Sequence, residues 1–398
     1  PYTRPGMRSE IERGDGPTDK EKAMKQSTDH KDIDLYDFQL DVIRGKAGGR
    51  ILWQPRIGCW YDDKKYAGEE LPGVFKGMDL VEIYRELGCS NRIYDYNDCF
   101  WAREDETVVR RENRLSALET EYIADTPVGS VNCIIRGNTS NPGTFPKKWW
   151  VEDIEDLKVM AYILGHQTWE WREDVYQSLQ KKWGRIGAPA IFMPRVNIQY
   201  LYIDLMGTET AVYLLSDYQE EVEAFFAVLQ KNQEQMIEVI NRSPIEMIDF
   251  GDNLHGGMLP PAYVENYILP AYRRRCELLH RGGKFVYAHW DGNTKTMLKY
   301  ARQTGLDGIE AITPEPQGDV TLREVKEALG DMWLIDGIAA ILFDGQYPEE
   351  ALRAQVQECI DLFAPHLILG ISDELSSIGN IERVRLVGEM VDEYNRKL

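Results

Sequence analysis

Several things are scarce in this 398-residue sequence. No apolar run approaches the ~20 residues that a helix needs to span a bilayer. Six cysteines, Cys59, Cys89, Cys99, Cys133, Cys276 and Cys359, stand apart with no CxxC pair. That spacing fits reduced thiols better than a disulfide framework. Basic residues are outnumbered, 46 Lys and Arg against 66 Asp and Glu, for a net charge of −20. Such a surface repels phosphate backbones and anionic lipid, so neither nucleic acid nor a membrane surface is an expected partner. The first residues, PYTRPGMRSEIERGDGPTDKEKAMKQ, offer no apolar stretch of the kind a signal peptide carries, and a cytoplasmic location is the expectation. No GxGxxG follows the first apolar run, which speaks against an open dinucleotide-binding sheet.

What the chain does have is a rhythm. Short apolar runs at 51–58, 92–97, 189–197, 246–253, 284–291, 308–313, 332–338 and 366–372 are mostly flanked by Gly, Pro or Asp. They read as strands buried on both faces. Amphipathic segments at 79–87, 217–240, 261–280, 293–305, 321–330, 348–363 and 380–398 alternate with them and read as helices. Eight strands, nearly all followed by a helix, predict a parallel sheet closed into an α/β (β/α)₈ TIM barrel. One domain is expected over 36–398, preceded by an N-terminal arm at 1–35 that is either a loose tail or a strap on a homodimer interface. The stretch 99–188 breaks the rhythm. It reads as a β-meander followed by helices at 152–164 and 168–182, an insertion after the second strand placed to cap the barrel mouth. Trp101, Trp149, Trp150, Trp169 and Trp171 lie there, either lining a pocket for a flat substrate or packing the insertion itself.

In such a barrel the chemistry sits where the strands end. The fourth run ends in Asp252 and Asn253, with His255 just beyond. The fifth ends in His289, Trp290 and Asp291; the sixth contains Glu310, the seventh Asp336, and Asp373 and Glu374 follow the eighth. Arg56 lies near the end of the first, Asp98 follows the second, and Arg195 and Asn197 close the third. Burying so much charge is unfavourable unless a metal, a proton or a substrate compensates it. His289 and Asp291, two apart on one strand, could reach one divalent ion, zinc foremost, with His255, Glu310 and Asp373 as further ligands. Without metal, the same side chains could work as general acid and base. His30, His166, His280 and His366 lie away from the strand ends and read as structural or surface groups.

With the strands placed, the sequence resembles the uroporphyrinogen decarboxylase superfamily over nearly all the chain after residue 35. The resemblance rests on WQPRIGCWY (53–61), on ADTPVGSV (124–131) followed by WWVEDIEDLKVMAYIL (149–164), and on DNLHGGMLPPAYVENYILPAYRR (252–274), HWDGNTKTMLKYARQTGLDGIEAITPEPQGD (289–319) and ISDELSSIGNIERVRLVGEMVDEY (371–394). Trp60 stands where the true decarboxylase has its second substrate-gripping arginine, while Arg56 resembles the first and Asp98 its pyrrole-binding aspartate. A smaller, less anionic substrate is implied.

The methyltransferase branch of that superfamily moves methyl groups to or from a corrinoid protein. Its thiol-activating members hold zinc through His-x-Cys and a later Cys. Here the first becomes His289-x-Asp291 and no Cys lies near Asp373, a harder ligand set suited to an ether or phenol oxygen. The DxHxxG cobalamin motif is absent, Asp252 and His255 being spaced DxxH, so the corrinoid would come on a separate protein. The resemblance therefore implies demethylation of a small, aromatic methoxy substrate, with His289, Asp291, Asp252, Glu310 and Asp336 catalytic and Arg56, Trp60, Asp98, Asn197 and Trp290 around the substrate. Two alternatives stand beside it: a metal-independent decarboxylase or lyase on a small carboxylated substrate held by Arg56, and a non-catalytic binding barrel.

Overall fold

The computed structural model describes residues 34–398, so nearly all of the expected N-terminal arm lies outside the described residues. Along the chain come α1 (Leu35–Ile43), β1 (Leu52–Trp53), α2 (Gly58–Tyr66) and α3 (Leu80–Leu87). An inserted region follows, with strands β2 (Phe100–Glu104), β3 (Val109–Arg114), β4 (Glu119–Thr126), β5 (Gly129–Gly137) and β6 (Thr144–Lys148). It ends with α4 (Ile154–Gly165), β7 (Gln167–Trp171) and α5 (Glu173–Trp183). The rest is β8 (Ala190–Met193), α6 (Gly207–Asp217), α7 (Gln219–Arg242), β9 (Met247–Phe250), α8 (Leu269–Arg281), β10 (Phe285–His289) and β11 (Gly308–Glu310). It closes with α9 (Leu322–Leu329), β12 (Trp333–Ala339), α10 (Glu349–Phe363), β13 (Leu367–Ser372) and α11 (Ile381–Arg396).

Seven strands form one curled, wholly parallel sheet in the order β1-β13-β12-β11-β10-β9-β8, a TIM-like barrel wall. Its residues are almost all buried, as the unbroken apolar runs require of strands covered on both faces. The strand expected at 92–97 is reduced to a single bridge, Ile93 to Pro189. The reason is local. Residues Asp95–Cys99 coil into a 3₁₀ turn, and the Asn97 side chain makes the two bonds a strand backbone would have made, donating to Phe192 O at 2.8 Å and accepting from Phe192 N at 2.9 Å. Residues 90–93 still touch both sheet edges: Ser90 N donates to Trp53 O at 3.0 Å and Ala190 N donates to Ile93 O at 3.2 Å.

Helix α1 seals the N-terminal end. Its Leu35, Leu40 and Val42 pack with the strand residues Leu52, Met247, Tyr287, Ile335 and Ile368. Outside, the helices start where the sequence says they should. Asp79 with Glu82 and Thr321 with Glu324 form reciprocal caps at α3 and α9. The helix expected at 293–305 is a different case: only Leu298–Gln303 coils, as a 3₁₀ turn. Asp319 Oδ1 takes the N–H groups of Thr294 and Lys295, which holds that stretch as a loop.

The insertion is an antiparallel meander, β3-β4-β5-β6, beside a two-stranded ribbon of β2 and β7. Residues 168–171, expected as helix, alternate as Thr-Trp-Glu-Trp and pair with Phe100–Arg103 instead. The region meets the connections that follow β1 and β8, through Tyr66 Oη to Asn138 O at 3.1 Å and Val151 N to Leu205 O at 3.1 Å. Trp101 is half exposed on β2, while three of the other tryptophans are held by neighbours. Trp149 lies against Gly207, Trp169 donates to Asn232 on α7, and Trp171 donates to Glu173. No helix among the described residues is long and apolar enough to cross a membrane.

Candidate active site

The ends of β10 and β11 set the site. His289 and Glu310 are register partners there, so their side chains leave adjacent strands at one height. His289 Nδ1 lies 2.5 Å from Glu310 Oε2, both groups buried. Two guanidinium groups hold the other carboxylate oxygen. Arg56 Nη1 donates to Glu310 Oε1 at 2.9 Å, and Arg92 Nη1 donates to the same oxygen. Arg92 also pairs with Asp336, Nη2 to Oδ1 at 2.6 Å and Nη1 to Oδ2 at 3.2 Å. Arg56 reaches the rim, with Nε donating to Glu374 at 3.2 Å and Nη1 standing 3.6 Å from Asp373.

The electrostatics follow from burial and these pairings. Burial pulls the His289 imidazolium down, yet the charge and hydrogen bond of Glu310 outweigh it and raise the group to about 9. Burial pushes Glu310 up, but His289, Arg92 and Arg56 hold it well below the usual carboxylate range. Asp336 goes the other way. Burial, with Glu310 adding to it, lifts it to about 6 in spite of Arg92. Beneath them Asp249, fully buried on β9, is raised well above its ordinary value, by burial first and then by Glu310. Tyr94 Oη donates to its Oδ2 at 2.6 Å, and its Oδ1 has no partner. At neutral pH the cup therefore holds a charged imidazolium on an ionised Glu310, which is a proton source fixed in place.

The backbone is strained at this end of the barrel. Asn253, Ala311, Asp336 and Asp373 take left-handed φ values of 50°, 65°, 80° and 69°. Each such non-glycine residue costs about 1–3 kcal/mol; Asn253, Ala311 and Asp373 follow the ends of β9, β11 and β13, and Asp336 lies inside β12. Gly370 of β13 makes room for one of them. A Cβ there would lie 2.2 Å from Asp336 Oδ1 and 2.9 Å from Gln54 O. Gly370→Ala is therefore expected to push Asp336 off Arg92 and to cost about 2 kcal/mol by overpacking. Denaturant unfolding checks it, and an unchanged midpoint would show that Asp336 has slack.

Of the residues expected at the mouth, His289, Glu310, Asp336, Arg56, Asp373 and Glu374 meet in this one network. The others lie elsewhere. Asp252 is buried toward β8, accepting from Val196 N at 2.7 Å, and its charge faces Arg275 and Tyr272. His255 accepts from Gly257 N at 2.9 Å and its ring covers Gly292. Asp291 caps its own neighbour, Gly292 N, at 2.5 Å. Asn197 donates to Tyr267 O at 2.8 Å. Trp60 and Trp290 are buried in the core, and Asp98 is exposed on its 3₁₀ turn.

The expected ligand set, His255, His289, Asp291, Glu310 and Asp373, is not assembled. Among the described residues no three His, Cys, Asp or Glu side chains are grouped to hold a metal ion. His255 and Asp291 are spent on loop N–H groups, and Glu310 is already neutralised by two guanidinium groups that would repel a divalent cation. These residues do not fit a metal as placed. The residues that the sequence reading missed are Arg92, Asp249, Tyr94 and Gln54. Their common signal is a polar group inside a run otherwise suited to a buried strand.

Residues 200–394 match the family model of uroporphyrinogen decarboxylase (URO-D). That segment carries His289, Glu310, Asp336 and Asp373, whereas Arg56 and Arg92 come from the chain before it. A methyltransferase from Methanosarcina mazei is similar in structure, at 12% identity and a TM-score of 0.55, over 89% of this chain and 97% of that one. A B12-independent methionine synthase from Shewanella sp. W3-18-1 aligns at 10% identity and a TM-score of 0.40, over 80% of this chain and 87% of that one. No protein of curated function matches the sequence. The family match covers just under half of the chain, in the half that carries most of the network, and the likeness to the M. mazei structure lies in the barrel fold.

Proposed function

We propose that this chain is a methyltransferase that removes the methyl group of a small, aromatic methoxy substrate, with His289 as the acid. The observation that carries the reading is the buried His289–Glu310 pair, clamped by Arg56 and Arg92 at the strand ends. Breaking a methyl–oxygen bond leaves an electron pair on oxygen, and a neutral phenol leaves far more readily than a phenolate. The Nδ1 side of His289 is taken by Glu310, so Nε2–H is the proton offered to that oxygen. The imidazole left behind stays paired with Glu310 and recovers a proton from water. General acid catalysis here takes the role that the sequence alone suggested for a metal.

A corrinoid on a separate protein would supply the methyl acceptor. Tyr66, Val74, Met258 and Ile378, all on connections leaving the strand ends, expose 44–73% of their surface and would suit a docking partner. The fold likeness to the M. mazei methyltransferase is consistent with this chemistry.

A panel of methoxybenzoates, incubated with the protein and chemically reduced cobalamin, tests the proposal. Release of the phenol is expected, unchanged after chelation of metals. Activity lost to a chelator and restored by zinc would overturn the acid mechanism. Absence of phenol under every condition would overturn the methyltransferase reading. One observation favours a second reading. Arg56 is the most accessible of the deep cations, with its side chain 15% exposed, and a substrate carboxylate could displace Glu374 from it. A decarboxylase would release carbon dioxide without corrinoid, and Arg56→Ala would abolish that release. Ligand binding with neither product would instead mark a non-catalytic barrel.

A further inference from the structure

A line of buried polar side chains runs from the sealed end of the barrel to the site, and the proposed acid does not use it directly. Arg92 Nε donates to Gln54 Oε1 at 3.1 Å. Gln54 Nε2 donates to Ser90 Oγ at 3.1 Å, and Ser90 Oγ donates to Gln39 Oε1 at 3.2 Å. Gln39 sits on α1, and its Oε1 also accepts from Ala188 N at 2.8 Å. Gln39, Gln54 and Ser90 are fully buried. We propose that Gln54, oriented by Ser90 and Gln39, is a positioning residue that fixes the plane of the Arg92 guanidinium and so its grip on Glu310.

Hydrogen-bond chemistry allows only one arrangement of this line. Its two ends are groups that can only donate, the Arg92 Nε–H and the Ala188 backbone N–H. Ala188 therefore requires the oxygen of Gln39 to face it. Ser90 must then give its single proton to that oxygen, which leaves its lone pairs for Gln54 N–H. The Gln54 amide cannot flip, and its oxygen is presented to Arg92. Arg92 otherwise donates to two acids, Glu310 and Asp336. A neutral acceptor at position 54 satisfies Nε–H while leaving the whole guanidinium charge for them. A carboxylate there would compete with Glu310 for the same cation. Losing that acceptor frees the guanidinium to turn about its last bonds.

The inference rests on the reading of His289 as the acid, but its test needs no substrate. Histidine-labelled protein would be titrated by NMR, following the His289 ring. In Ser90→Ala and Gln54→Leu, Arg92 loses its tether and withdraws from Glu310, whose charge then falls more fully on the imidazolium. His289 is expected to hold its proton to a pH higher by about half a unit or more. Gln54→Glu should move it the same way and further, and Ser90→Thr, which keeps the hydroxyl, should restore the wild-type titration. A His289 curve unmoved in folded Ser90→Ala would overturn the proposal, whether or not Gln54→Leu folds. A moved curve in a protein that demethylates nothing would leave the positioning line standing and the function refuted.

Discussion

Glu310→Gln is expected to be the most damaging single substitution in the barrel. The carboxylate is fully buried and neutralises three neighbours at once, Arg56, Arg92 and His289. An amide of the same shape keeps the volume and removes the charge. Taking one partner from a buried ion cluster costs about 3–5 kcal/mol, because the remaining charges stay out of water. His289 should respond as well. With Glu310 silent, burial is the dominant influence left on the imidazolium and lowers it, so the ring is neutral at pH 7. The variant should unfold at a clearly lower denaturant concentration and lose about 10²-fold or more in turnover at neutral pH. Equilibrium unfolding monitored by tryptophan fluorescence reads the first effect. A wild-type midpoint would mean that the cluster is not held by Glu310, and the electrostatic account of the site would fail with it.

Much of this arrangement was legible in the sequence, for a physical reason. Strands covered on both faces are written as apolar runs, so β8 to β13 stand within a few residues of where the pattern puts them. Polar groups at the ends of such runs are conspicuous, which is why His289, Glu310, Asp336, Arg56 and Asp373 could be gathered before any coordinates. What the pattern conceals is direction. Asp252, His255 and Asp291 have the right chemistry at the right height, yet each is consumed by a local N–H or by a neighbouring helix. Loop geometry of that kind leaves no periodic mark. The second strand falls short of its expected extent because Asn97 imitates a backbone. Arg92 opens the run at 92–97, away from the strand end where a barrel places its chemistry. An arginine in a run meant to be buried on both faces needs carboxylates facing it, and Glu310 and Asp336 supply them.

His289→Gln and the pH profile form the decisive pair of measurements. Glutamine keeps a donor near the substrate but cannot release a proton, so turnover should fall about 10²–10⁴-fold, the usual worth of a positioned acid. The wild-type rate should hold through neutral pH and decline on the alkaline side with a midpoint near 9, where the imidazolium is lost. Stability must follow the same group. The pair raises His289 in the folded state above its ordinary value of 6.5, so its contribution is present in full below about 6.5 and fades as pH rises through about 9. That difference corresponds to roughly 3 kcal/mol, which wild type should lose across the interval and His289→Gln should not. The two profiles separate an acid from a structural histidine. If the alkaline loss of stability vanishes in the variant while its turnover stays near wild type, His289 only holds the barrel together and the proton comes from elsewhere. If both change together, the imidazolium that Glu310 stabilises is the same one that the reaction consumes.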